Sequence, residues 1–91
     1  MEKIRKEYRF IGRVQGVGFR YHAYHTAQRL GITGWVQNCY DGSVAAQAQG
    51  HPDALQDFKA LLGQGRYIVI DAVEEREIPV DGEERGFRIL H

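Results

Sequence analysis

Tyr8 and Phe10 alternate with Arg9 between Glu7 and Val14, a period of two that predicts a strand with one apolar face. The glycine-bearing stretch Gln15–Gly18 interrupts it. From Tyr21 to Leu30 the period changes: Ala23, Tyr24, Ala27 and Leu30 recur every three or four residues, as on one face of a helix. Gly31 stands where a left-handed C-terminal cap would fall. Thr33–Asn38, centred on Trp35 and Val36, predicts a second strand, and Asp41-Gly42 a hairpin turn. Val44, Ala46 and Ala48 share one face of a third strand over Ser43–Gln49. Pro52 suits the first position of a second helix with His51 near its cap, and Ala54, Leu55, Phe58, Leu61 and Leu62 form its apolar stripe. Gly63 or Gly65 ends it. Tyr67–Val73, rich in β-branched residues, predicts a strand that runs on into Glu74-Glu75-Arg76-Glu77, read as a solvated edge. Asp81-Gly82 marks a turn, and Phe87–Leu90 a short final strand.

The order β-α-β-β-α-β plus a terminal strand predicts an α+β fold of the ferredoxin-like class. That fold is an antiparallel sheet with two helices on one face. Residues 1–91 are expected to form a single domain, because 91 residues leave no room for two. There is no linker, low-complexity segment or sequence repeat.

Composition narrows the function. Twelve Lys and Arg balance twelve Asp and Glu, which speaks against a nucleic-acid partner, since such proteins usually carry a basic excess. No apolar run approaches the roughly 20 residues that span a bilayer, and the charged start Met1–Glu7 has no secretory apolar core. The one cysteine, Cys39, suits a reducing compartment, so a cytoplasmic location and no membrane partner are expected.

The candidate chemistry sits in Gly12-Arg13-Val14-Gln15-Gly16-Val17-Gly18-Phe19-Arg20. Gly16 and Gly18 permit backbone angles barred to other residues, so successive N–H groups can turn inward around an anion. The following helix adds unpaired N–H groups and the positive end of its dipole. Arg20 adds a planar fork matched to two phosphate oxygens. A Walker loop is excluded because Phe19-Arg20 stands where Lys-Ser/Thr is needed, and a dinucleotide fingerprint because Tyr21 replaces its third glycine. On spacing alone, a tight β-α turn with an exposed arginine remains the other reading.

The whole pattern resembles the acylphosphatase family. Val14-Gln15-Gly16-Val17-Gly18-Phe19-Arg20 is similar to its signature. So are Gly31-Ile32-Thr33-Gly34-Trp35-Val36-Gln37-Asn38, then Asp41-Gly42-Ser43-Val44, and the closing Phe87-Arg88-Ile89. Gly63-Gln64-Gly65 departs from the Gly-Pro common after the family's second helix, and the match through Arg66–Glu77 is weak. The resemblance implies hydrolysis of small-molecule acyl phosphates without metal or cofactor. Arg20 is then expected to bind the phosphoryl oxygens. The amides of Gln15, Gly16, Val17, Gly18 and Phe19 are expected to cradle the same group, and Asn38 to orient the attacking water. The substrate's own phosphate would accept the water's proton. A monomer is expected.

Other readings compete. A non-catalytic acylphosphatase-like module that binds phosphate or carbamoyl phosphate uses the same loop. His22 and His25, three apart on a helix, have the spacing of two metal ligands and would need Cys39 or His51 as a third. Cys39 beside Asn38 has no identifiable histidine partner as a nucleophile.

Overall fold

The computed structural model describes residues 2–91. Its elements are β1 (Ile4–Arg13), α1 (Phe19–Leu30), β2 (Thr33–Asn38), β3 (Val44–Gly50), α2 (Pro52–Leu62), β4 (Val69–Ile78) and β5 (Phe87–Leu90). The strands form one sheet in the order β4-β1-β3-β2-β5. β1 pairs antiparallel with β3 and β4, and β2 antiparallel with β3. These four strands and two helices are the expected ferredoxin-like α+β arrangement. The terminal strand corrects the all-antiparallel expectation: β5 runs parallel to β2, which makes the sheet mixed. The 79–86 loop returns the chain across one end of the sheet, so β5 starts at the same end as β2, with Gly34 facing Phe87.

Register explains the core. Tyr8 lies opposite Ala46 and Phe10 opposite Val44, so their side chains emerge on one face with Ala48 and Val36. The small residues of β3 leave room for the rings of β1. Tyr8 and Phe10 lie with ring centroids 5.6 Å apart, and Phe10 meets Phe19 of α1 at 5.1 Å. Phe58 of α2 touches both Tyr8 and Phe87. Ala23 and Ala27 of α1 and Leu55 and Leu62 of α2 complete this layer. Burial, and secondarily the charge of Glu75, hold the Tyr8 hydroxyl well above the ordinary phenol range, so it stays protonated.

The helix ends follow their predicted signals. Gly31 is left-handed, and the N–H of Ile32 donates to Ala27 O at 2.9 Å. The His51 ring accepts from the Asp53 N–H, ahead of Pro52 at the first helical position. Three boundaries moved by two residues or more. β1 begins at Ile4 rather than Glu7, because Ile4, Arg5 and Lys6 pair with Gly50, Gln49 and Ala48 of β3. α1 begins at Phe19 rather than Tyr21, because Phe19 is needed in the core. Tyr67 lies in a turn, exposed under Arg66, so β4 begins at Val69. The charged run Glu74–Glu77 is part of β4, an edge strand, and oppositely charged partners face it. Glu7 bonds Arg76, and Glu75 binds Lys6 at 3.0 Å and Lys59 of α2. The opposite face of the sheet carries a buried pair: Arg5 donates to Glu84 at 2.7 Å and to the carboxamides of Gln47 and Gln49. Gln49 in turn exchanges hydrogen bonds with the Asp81 backbone, which straps the 79–86 loop across that end.

Candidate active site

The loop between β1 and α1 is anchored by its apolar members. Val14 and Phe19 are buried and Val17 packs against the same core. Gly16 and Gly18 between them are exposed with φ of 73° and 79°. A Cβ at either would meet nothing within 4 Å, so glycine is there for its left-handed backbone and not for space. Gly18 caps α1 without a side-chain bond, and no acidic residue stands in the first turn. The first bond of the helix runs from the His22 N–H to Gly18 O at 3.0 Å. Among the described residues, no protein acceptor takes the N–H groups from Gln15 to Tyr21. A run of consecutive donors thus surrounds the positive end of a helix.

Arg20 is the second residue of α1, half-buried, and has no carboxylate partner among the described residues. The Phe19 side chain is core, which leaves its amide, the group expected to meet a ligand, at the start of the helix.

Asn38 is brought to this loop by register. It faces Val44, which faces Phe10, and its side chain emerges on the helix side with Val36. Phe10 carries Phe19 of α1 on top of it, so this row ends under the N-terminus of the helix. The Asn38 Oδ1 is buried and has no protein partner among the described residues. An orphaned buried acceptor costs on the order of 1–3 kcal/mol unless a donor such as water reaches it.

The Gln15 carboxamide, which sequence reasoning left out, spans the gap between loop and hairpin. Its Nε2 donates to Cys39 O at 2.8 Å and to Ser43 O at 2.9 Å. The turn itself is closed by Cys39 N–H to Ser43 O at 2.8 Å and by Asp41, which accepts from both the N–H and hydroxyl of Ser43. Arg9 binds Asp41 and Ser43 from the other side. The sequence signalled Asp41-Gly42 only as a turn; its connection to Gln15 is tertiary.

The alternative sites do not assemble. The His22 ring lies 2.8 Å from Leu61 O, joining the two helices, while His25 is exposed against Tyr24. Among the described residues, no three His, Cys, Asp or Glu side chains converge. Cys39 is a half-buried free thiol. A concavity of about 420 Å³ lies on the open sheet face between Trp35, Arg9, Gln47 and Arg76, away from the loop. Charge is distributed unevenly. Tyr8–Tyr40 contains Arg9, Arg13, Arg20 and Arg29 and no Asp or Glu. At the far end of the sheet three acids, Asp81, Glu83 and Glu84, stand with three arginines, Arg5, Arg85 and Arg88.

Fold and loop together define a ferredoxin-like domain with a run of unpaired main-chain donors at one end of its sheet. Comparison with known proteins shows the family. The acylphosphatase family profile matches residues 6–89. An acylphosphatase of Caldanaerobacter subterraneus subsp. tengcongensis is 43% identical over 82 residues, 89% of this chain and 91% of that protein. The crystal structure of the Bacillus subtilis acylphosphatase superposes with a TM-score of 0.90 at 31% identity, covering 97% of this chain and 99% of that one. A full-length HypF in a phosphate- and nucleotide-bound form also superposes at 0.90, with 26% identity, over 99% of this chain but 12% of HypF. The chain belongs to the acylphosphatase family. It is an enzyme of that activity, and no helix among the described residues is long and apolar enough to cross a membrane.

Proposed function

We propose that the amides from Gln15 to Phe19 and the Arg20 guanidinium hold the phosphoryl group of a small acyl phosphate, and that Asn38 holds the attacking water. The observation that carries this is the unbroken run of unpaired N–H groups beside a buried, partnerless Asn38 Oδ1. The donors fit the charge on the phosphoryl oxygens. The orphaned acceptor fits an O–H of water. Attack forms a new P–O bond as the bond to the acyl oxygen breaks; the carboxylate departs and the water's proton passes to a phosphoryl oxygen. A carboxylate leaves readily, so the site needs positioning and positive field more than a general acid. We place this activity in one domain over residues 1–91, acting as a monomer without metal or cofactor in a reducing cytoplasm that keeps Cys39 a thiol.

The test is hydrolysis of benzoyl phosphate by the purified chain, joined to a phosphate titration followed by amide chemical shifts. Turnover should persist in chelator, and the Gln15–Arg20 amides should move most. Shifts concentrated elsewhere would remove the loop from the site.

A further inference from the structure

We infer that the Gln15 side chain is a positioning residue, which holds the water-binding Asn38 in register with the phosphate cradle. This rests on the reading of Asn38 and the loop given above. The Gln15 amide N–H belongs to the cradle, but its carboxamide points the other way. Both protons of Nε2 are used, one on Cys39 O at 2.8 Å and one on Ser43 O at 2.9 Å. These carbonyls also accept the turn's own bonds, from Gly42 and Cys39 respectively, so each uses both lone pairs. Gln15 therefore closes onto a turn that is already folded.

What this does for Asn38 follows from what Asn38 lacks. Its Oδ1 has no protein partner to hold the carboxamide in place. The position of that oxygen depends on the main chain that carries it. On the N-terminal side the main chain is held by the β2 ladder, which ends at Asn38 opposite Val44. On the C-terminal side the next residue is Cys39, and its carbonyl is held by Gln15. The same residue thus starts the cradle and fixes the far side of Asn38. Phosphorus and water are referred to one frame, and a misplacement of about 1 Å is enough to cost on the order of a hundredfold in such reactions.

The experiment uses Gln15→Met, which keeps length and loses both donors, alone and combined with Asn38→Ala. Thermal unfolding checks the fold of each variant. Gln15→Met should lower kcat on benzoyl phosphate by about tenfold or more while the inhibition constant of inorganic phosphate stays within about threefold, because the cradle amides are main-chain groups. In the Asn38→Ala background the same change should cost little further, since the group it positions is gone. A full additive loss, an unchanged kcat in the single variant, or a parallel collapse of phosphate inhibition overturns the positioning role while leaving Asn38 as the water holder. If Asn38→Ala alone turns over normally, the reading of Asn38 fails and the role of Gln15 falls with it.

Discussion

At the scale of single residues, Arg20 and Asn38 are separable. Arg20 has no carboxylate partner among the described residues and stands on a helix whose core contacts come from Phe19, Ala23 and Ala27. Arg20→Gln should leave circular dichroism and unfolding temperature near wild type. The loss of a preorganised charged donor should lower turnover by about 10²–10³. Normal turnover in a folded variant would refute the assignment. In the proposed role, where the side chain meets the nucleophile and not the bound anion, Asn38→Ala should lower kcat strongly and leave phosphate inhibition almost unchanged. Phosphate inhibition that weakens in step with kcat would move Asn38 into the cradle. Both residues stand out in the sequence as candidates only because two motifs occur together. Gln15 was visible as a loop residue, but nothing local tells a main-chain contributor from a side-chain tether. Its acceptors lie 24 and 28 positions away.

At the scale of elements, the loop and the edge strand each carry a test. Gly16 sits at φ 73° with open space around it, so Gly16→Val strains the backbone by about 1–2 kcal/mol without a clash. The loop should relax, its amides should cease to converge, and phosphate-induced shifts of Gln15–Arg20 should vanish while the rest of the spectrum stays native. In β4, the hydrogen bond from Lys59 is the main reason the Glu75 carboxyl titrates below its ordinary range. A depressed folded value adds stability that is present above the unfolded carboxyl pKa and lost as pH falls through the folded one. Glu75→Gln should therefore destabilise at neutral pH by about 0.5–1 kcal/mol, given its partial exposure, and the difference from wild type should close on acidification below about pH 4. A pH-independent gap in denaturation midpoints would contradict this. Periodicity located both helices because Ala23, Ala27, Leu55, Phe58 and Leu62 all face the core. It placed Tyr67 in a strand because an aromatic beside β-branched residues looks the same in a turn. The parallel pairing of β5 with β2 depends on how the Arg5–Glu84 pair straps the return loop, 79 positions apart in sequence, which no local pattern encodes.

At the scale of the molecule, the neutral total conceals a local imbalance. Arg13 and Arg20 flank the loop, and neither has a carboxylate partner among the described residues, while at the other end of the sheet Asp81, Glu83 and Glu84 stand among Arg5, Arg85 and Arg88. A protein with zero net charge neither attracts nor repels an anion at long range. Uncompensated guanidiniums beside one loop act on an approaching phosphate only within a Debye length, roughly 10 Å at 0.1 M salt. Raising sodium chloride from about 10 mM to 0.5 M should lower kcat/KM by about threefold or more and leave kcat unchanged. Arg13→Gln should flatten that dependence. Arg13 would then serve as a beacon: a charge that touches no substrate, yet biases where one lands.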